Sequence, residues 1–223
     1  MTVAPDVDID GPHQDQPLET GGTDLESATA AVVLTHGRGA SARGMLQLAD
    51  AVHCEGVAFL APQAASRTWY PNSFLAPVDR NEPGRTSGLQ AIADAIERAS
   101  DAGIPTERVM LVGFSQGACL ASEFVGHNPR RYGGLAALSG GLIGEEIDRD
   151  EYTDVEGDLA ETPVFLGCSD VDPHIPEKRV HETAAVLEAL GADVTKRLYE
   201  GMGHGITEDE LEVVAAMVAD LVD

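Results

Sequence analysis

Val109-Met110-Leu111-Val112-Gly113-Phe114-Ser115-Gln116-Gly117-Ala118 is a short apolar run that breaks into Gly-x-Ser-x-Gly and resumes as a helix-compatible segment. The pattern reads as a buried strand, a sharp turn and a helix start, with Ser115 at the tip of the turn. Such a reversal leaves no room for side chains two residues before and after the serine, which accounts for Gly113 and Gly117. The turn lifts the hydroxyl clear of the sheet and sets the N–H of Gln116 at the positive end of a helix. A serine hydroxyl is a weak nucleophile by itself. It needs a base within hydrogen-bond reach, an acid to orient that base, and donors for a developing oxyanion.

On both sides of this turn, apolar strand-like runs alternate with helical stripes along most of the 223 residues. Strands are expected at Ala30–Leu34, Val57–Leu60, Leu135–Leu138, Thr162–Cys168 and Val194–Tyr199, with a weaker edge strand within His13–Thr20. Helical spacing connects Met45 to Val52, Leu89 to Ala99, Leu120 to Phe124, Val180 to Leu190 and Leu211 to Leu221, the last behind a Thr207/Glu210 capping box. Residues 1–12 are expected to form a flexible acidic tail and residues 13–223 a single domain. Apolar strands alternating with helices predict an α/β fold, a mostly parallel twisted sheet with helices on both faces and no large cap. Gly144–Glu161 is acidic and poor in large apolar residues, so it reads as an exposed excursion.

Composition narrows the function. The net charge is −24, with only Lys178 and Lys196 as lysines, so nucleic acid and anionic lipid are poor partners. In its scarcity of lysine and excess of carboxylates the chain resembles proteins of salt-accumulating organisms. No run approaches membrane-spanning length, and the first residues lack a basic and then apolar leader; a cytoplasmic location without stable membrane insertion is the expectation. Cys54, Cys119 and Cys168 give no disulfide framework and read as small buried hydrophobes.

In a parallel sheet the strand ends open on one edge. Four loops there carry candidate groups: the His36-Gly37-Arg38-Gly39 bend, the Ser115 turn, the Asp170/Asp172 loop and the His204 loop. His204, flanked by glycines, is free to reach Ser115 and to shuttle its proton. The other histidines fit less well: His13 lies near the tail, His53, His127 and His181 fall on expected helices, and His174 shares the loop of the acid. His36, at a strand end beside glycine, reads as a brace for its loop. Both Asp170 and Asp172 follow a strand, and spacing alone does not choose between them. The backbone N–H groups of Arg38 and Gln116 are the expected oxyanion donors. The long loop 64–84 carries Trp69 and Phe74 and is expected to overhang the site as an apolar wall.

Taken together, Gly113-Phe114-Ser115-Gln116-Gly117-Ala118, Asp172-Pro173-His174-Ile175-Pro176 and Tyr199-Glu200-Gly201-Met202-Gly203-His204 resemble the three motif blocks of the phospholipase/carboxylesterase family of α/β-hydrolases, which includes the acyl-protein thioesterases. The resemblance runs from about Ala30 to the end. It selects Asp172 as the acid, matches the His36-Gly37-Arg38-Gly39 bend to the oxyanion bend of the family, and aligns Trp69 with the aromatic of its substrate-facing loop. It implies a serine hydrolase acting on carboxylic esters, thioesters or lysophospholipids through an acyl-enzyme on Ser115, with neither metal nor organic cofactor. A small-molecule ester is the expected partner, and a homodimer is left open. Arg38 stands where the family has an apolar residue, and the surroundings of Trp69-Tyr70-Pro71 differ from the thioesterase pattern; both bear on which acyl group is accepted. The competing readings are a dienelactone-type lactonase, which resembles this fold with a cysteine in place of Ser115, and a binding module that kept the fold without the chemistry.

Overall fold

Seven strands account for the apolar runs: β1 (Leu18–Gly22), β2 (Ala30–Thr35), β3 (Val57–Pro62), β4 (Val109–Phe114), β5 (Gly134–Leu138), β6 (Pro163–Ser169) and β7 (Asp193–Tyr199). In the computed structural model, which describes residues 11–222, they form one sheet in the order β1-β3-β2-β4-β5-β6-β7. Every neighbouring pair is parallel except β1 with β3. Among the described residues six α-helices accompany them: α1 (Ala42–Ala49), α2 (Gly84–Asp101), α3 (Gln116–His127), α4 (Arg149–Thr153), α5 (Glu177–Ala189) and α6 (Glu208–Asp220).

The two-residue period of the strands divides the core in two. Val32, Leu34, Met110, Val112, Leu138 and Phe165 face one side with α1 and α6, and Val33, Leu111, Leu135, Ala137 and Leu166 face the other with α2, α3 and α5. Burial on both faces accounts for central strands that are apolar along their length, save Thr35 at the end of β2. The predicted capping box of α6 is formed: Thr207 Oγ1 accepts from the N–H of Glu210, and the N–H of Thr207 donates to the Glu210 carboxylate.

Four expectations are corrected: those for the edge strand, the acidic segment, His53 and Cys54. The edge strand begins at Leu18, because His13–Gln16 forms a turn whose buried histidine bonds to Ser87 Oγ and the Trp69 carbonyl. The acidic segment 144–161 is not wholly exposed: it holds α4, and it buries Tyr152 and Leu159 against the core. His53 lies beyond the end of α1, and Cys54 is half-buried while Cys119 and Cys168 are buried. The expected tail is not among these corrections: its residues 1–10 lie outside the described residues, and at Gly11 an added Cβ would sit 2.6 Å from the Ser87 side chain.

Candidate active site

The turn at Ser115 is as tight as its glycines imply. Ser115 takes φ +55°, ψ −119°, a conformation that L residues rarely adopt. A Cβ on Gly117 would sit 2.1 Å from the Thr35 carbonyl oxygen, and one on Gly113 would sit 2.5 Å from that of Gly117. The Thr35 hydroxyl donates to the Gly117 carbonyl at 2.9 Å, tying the end of β2 to the start of α3.

His204 is brought to this serine from the loop after β7. Its Nε2 lies 2.9 Å from Ser115 Oγ and its Nδ1 lies 2.7 Å from Asp172 Oδ2. The other carboxylate oxygen of Asp172 accepts from the N–H groups of His174 (2.8 Å) and Ile175 (3.1 Å). Burial of Asp172 disfavours its charge, but the bonds from His204 and the two N–H groups outweigh it and hold the carboxyl below the usual range. Asp170 serves the same loop differently, accepting from the Gly201 N–H at 2.8 Å.

The His204 loop has further anchors that sequence reasoning did not single out. Ser169 Oγ accepts from Gly203 N–H at 3.2 Å, and the Ser139 hydroxyl donates to the Gly205 carbonyl at 3.3 Å. The imidazole itself packs against the rings of Phe114 and His174, at centroid distances of 5.1 and 4.9 Å. Ser139 and Ser169 each sit at the end of a strand, which is the one signal that marks them in the sequence.

His36 is buried and acts as a brace. Its Nε2 accepts from the Ala64 N–H at 3.1 Å, which requires that nitrogen to be bare and places the proton on Nδ1, 2.8 Å from the Gly37 carbonyl. Burial lowers its pKa and keeps the ring neutral. Just beyond it, the Arg38 N–H donates to no group among the described residues, and neither does that of Gln116 at the first position of α3. These are the two N–H groups expected as oxyanion donors.

Beside Ser115 opens a cavity of about 510 Å³, lined among others by Tyr70, Pro71, Phe74, Cys119 and Ile175. Among the described residues no carboxylate lines it, although the chain is strongly acidic. Phe74 is where the wall was expected. Trp69 is not: its side chain has no exposed surface, and its indole N–H donates to the His36 carbonyl at 2.8 Å. It braces the loop from beneath because its polar edge finds a buried carbonyl there. A larger depression of about 850 Å³ beside β1 and the end of α2 holds none of these groups.

One charged cluster went unread in the sequence. Glu123, buried in α3, accepts from Arg85, from His127 (3.1 Å), from the Tyr152 hydroxyl (3.0 Å) and from the Ile143 N–H (3.0 Å). The available signal was its helix, in which every residue is buried, so that a glutamate within it has to be paired.

Sheet order, a serine at the strand–helix turn after β4, and a histidine reaching it from the loop after the last strand together define an α/β-hydrolase. A family model described as Phospholipase/Carboxylesterase matches residues 23–221. The chain belongs to the phospholipase/carboxylesterase family and is an ester hydrolase. It is similar to the crystal structure of a phospholipase/carboxylesterase from Dyadobacter fermentans, with 39% identity, a TM-score of 0.87 and coverage of 92% of this chain and 96% of that one. It is 28% identical over 217 residues to acyl-protein thioesterase 1 of Candida albicans, spanning 88% of this chain and 94% of the relative. The carboxylesterase of Bacillus cereus shares the fold at 19% identity, with a TM-score of 0.73 and coverage of 93% and 95%. Among the described residues no helix is long and apolar enough to cross a membrane.

Proposed function

We propose that the chain hydrolyses carboxylic esters of short to medium acyl chains, thioesters among them, through an acyl-enzyme on Ser115. His204 removes the Ser115 proton during attack and returns it to the leaving group, and Asp172 fixes the imidazole tautomer and balances the imidazolium. The N–H groups of Arg38 and Gln116 hold the oxyanion, a contribution of about 3 kcal/mol to the barrier per donor in comparable sites. Water attacks the acyl-enzyme by the same route in reverse. Phe74 contributes to the acyl wall. Trp69 supports that wall without touching the acyl group.

The observation carrying this reading is that one imidazole stands within hydrogen-bond distance of both Ser115 Oγ and Asp172 Oδ2. Thioesters enter because curated relatives of comparable length are named acyl-protein thioesterases. Residues 13–223 act as one domain in this reading. The charge of −24 supports a protein adapted to a salt-rich cytoplasm, where molar salt screens its self-repulsion. Hydrolysis of p-nitrophenyl esters of graded chain length, with and without molar KCl, tests both parts. Wild type should be active and Ser115→Ala inactive, with the optimum in high salt. Activity surviving in Ser115→Ala would defeat the mechanism, and an optimum in dilute buffer would defeat the salt adaptation.

A further inference from the structure

The two expected oxyanion donors sit on separate segments, Arg38 after β2 and Gln116 after β4, and the side chains of both residues grip the same short stretch, 67–72. The guanidinium of Arg38 donates to the carbonyls of Tyr70 (2.8 Å), Pro71 (3.1 Å) and Asn72 (2.7 Å). The Gln116 amide accepts from the Trp69 N–H at 2.9 Å and donates to the Tyr70 carbonyl at 2.8 Å. Two more bonds join the stretch to the bend that carries Arg38, from the Gly39 N–H to the Arg67 carbonyl at 2.7 Å and from the Trp69 indole to the His36 carbonyl.

We infer that residues 67–72 are a splint that sets the separation of the two oxyanion donors, with the Tyr70 carbonyl as its joint and the side chains of Arg38 and Gln116 as positioning residues. The inference rests on the acyl-enzyme reading above. Hydrogen bonds from a guanidinium to three successive carbonyls fix the strip in direction as well as distance, which a lysine ammonium on a flexible stem does not reproduce. The same strip supplies Tyr70, Pro71 and Asn72 to the cavity wall. A group filling the cavity therefore presses on the element that spaces the donors, so acyl fit is read out in the rate of the chemical step as well as in binding.

The test compares wild type, Arg38→Ala, Arg38→Lys, Gln116→Met and the double variant Arg38→Ala/Gln116→Met on p-nitrophenyl acetate to octanoate, with Ser115→Ala as control. Wild-type turnover and an inactive Ser115→Ala establish the underlying mechanism independently of the splint. The splint predicts that each single variant lowers kcat by roughly 10- to 100-fold while KM for the acetate moves less than about threefold. It also predicts a flatter chain-length profile, only partial recovery in Arg38→Lys, and recovery of kcat in Arg38→Ala on adding millimolar guanidinium. Because both side chains meet on one carbonyl, the double variant should lose less than the product of the single losses. Single variants with kcat within twofold of wild type, or a rise in KM with kcat intact, would overturn the inference. If Arg38→Ala does not fold, Gln116→Met decides alone by the same split between kcat and KM.

Discussion

Asp172 and His204 are joined by a 2.7 Å hydrogen bond, whereas Asp170, two residues earlier on the same loop, turns its carboxylate to the Gly201 N–H. The two acids thus hold one loop with different tasks. Asp172→Asn places an amide N–H₂ against His204, because the two backbone N–H groups of His174 and Ile175 keep the amide oxygen; the imidazole is then forced into the wrong tautomer. A fall in kcat of roughly 10³- to 10⁴-fold is expected. Asp170→Asn keeps an acceptor for Gly201 and should cost less than about tenfold. Steady-state rates on one ester check both.

Glu123 is the stability counterpart. Burial disfavours its charge, but the bonds from His127 and Arg85 prevail and lower its pKa to about 2. A folded-state pKa below the unfolded one means stability that is present above the ordinary carboxylate range and is lost as pH falls from there towards about 2. Glu123→Gln takes from Arg85 the more buried of its two carboxylate partners, Glu82 remaining at 3.2 Å, and should destabilise by about 1.5–3 kcal/mol, with the deficit shrinking across that acid window. Chemical denaturation at neutral and at acid pH measures it.

Phe74, which lines the cavity, sits with the Arg179 guanidinium 5.6 Å from its ring centroid. Phe74→Ala should move the preferred acyl chain to greater length, and Phe74→Trp to shorter. The ratio of kcat/KM for octanoate over acetate is the readout; a ratio unchanged in both variants would remove Phe74 from the wall.

Gly117→Ala should fold poorly or not at all. The added methyl meets the Thr35 carbonyl oxygen at 2.1 Å and the His36 carbonyl oxygen at 2.7 Å, both backbone, with nothing flexible to yield. A loss of at least about 3 kcal/mol is expected, read as a lowered thermal midpoint or absence of soluble protein.

How far the sequence spoke depended on whether a feature was local. Central strands were legible because burial on both faces makes them continuously apolar, as in Ala30-Ala31-Val32-Val33-Leu34. Ser115 and His204 were legible because a tight turn and a loop after the last strand each leave a mark in spacing. Asp172 was not, since Asp170 fits the same spacing; only the resemblance to a family separated them, and of the two it is Asp172 that bonds to His204. Trp69 looked like a wall residue because an aromatic in a long loop carries no sign of which way its ring turns. What turns it inward is the His36 carbonyl, 33 positions away. Tyr152 was hidden similarly: its acidic neighbours suggested solvent, while its hydroxyl partner lies on α3.

Every step of the proposed hydrolysis runs through an acyl group carried on Ser115 Oγ. Incubation with a fluorophosphonate, or a rapid quench during turnover of a slow ester, followed by intact-protein and peptide mass spectrometry, tests this directly. The prediction is one adduct per chain, on the peptide containing Ser115, absent from Ser115→Ala and strongly slowed in His204→Ala. An adduct on another residue, or turnover without any trapped serine and undiminished in Ser115→Ala, would contradict it.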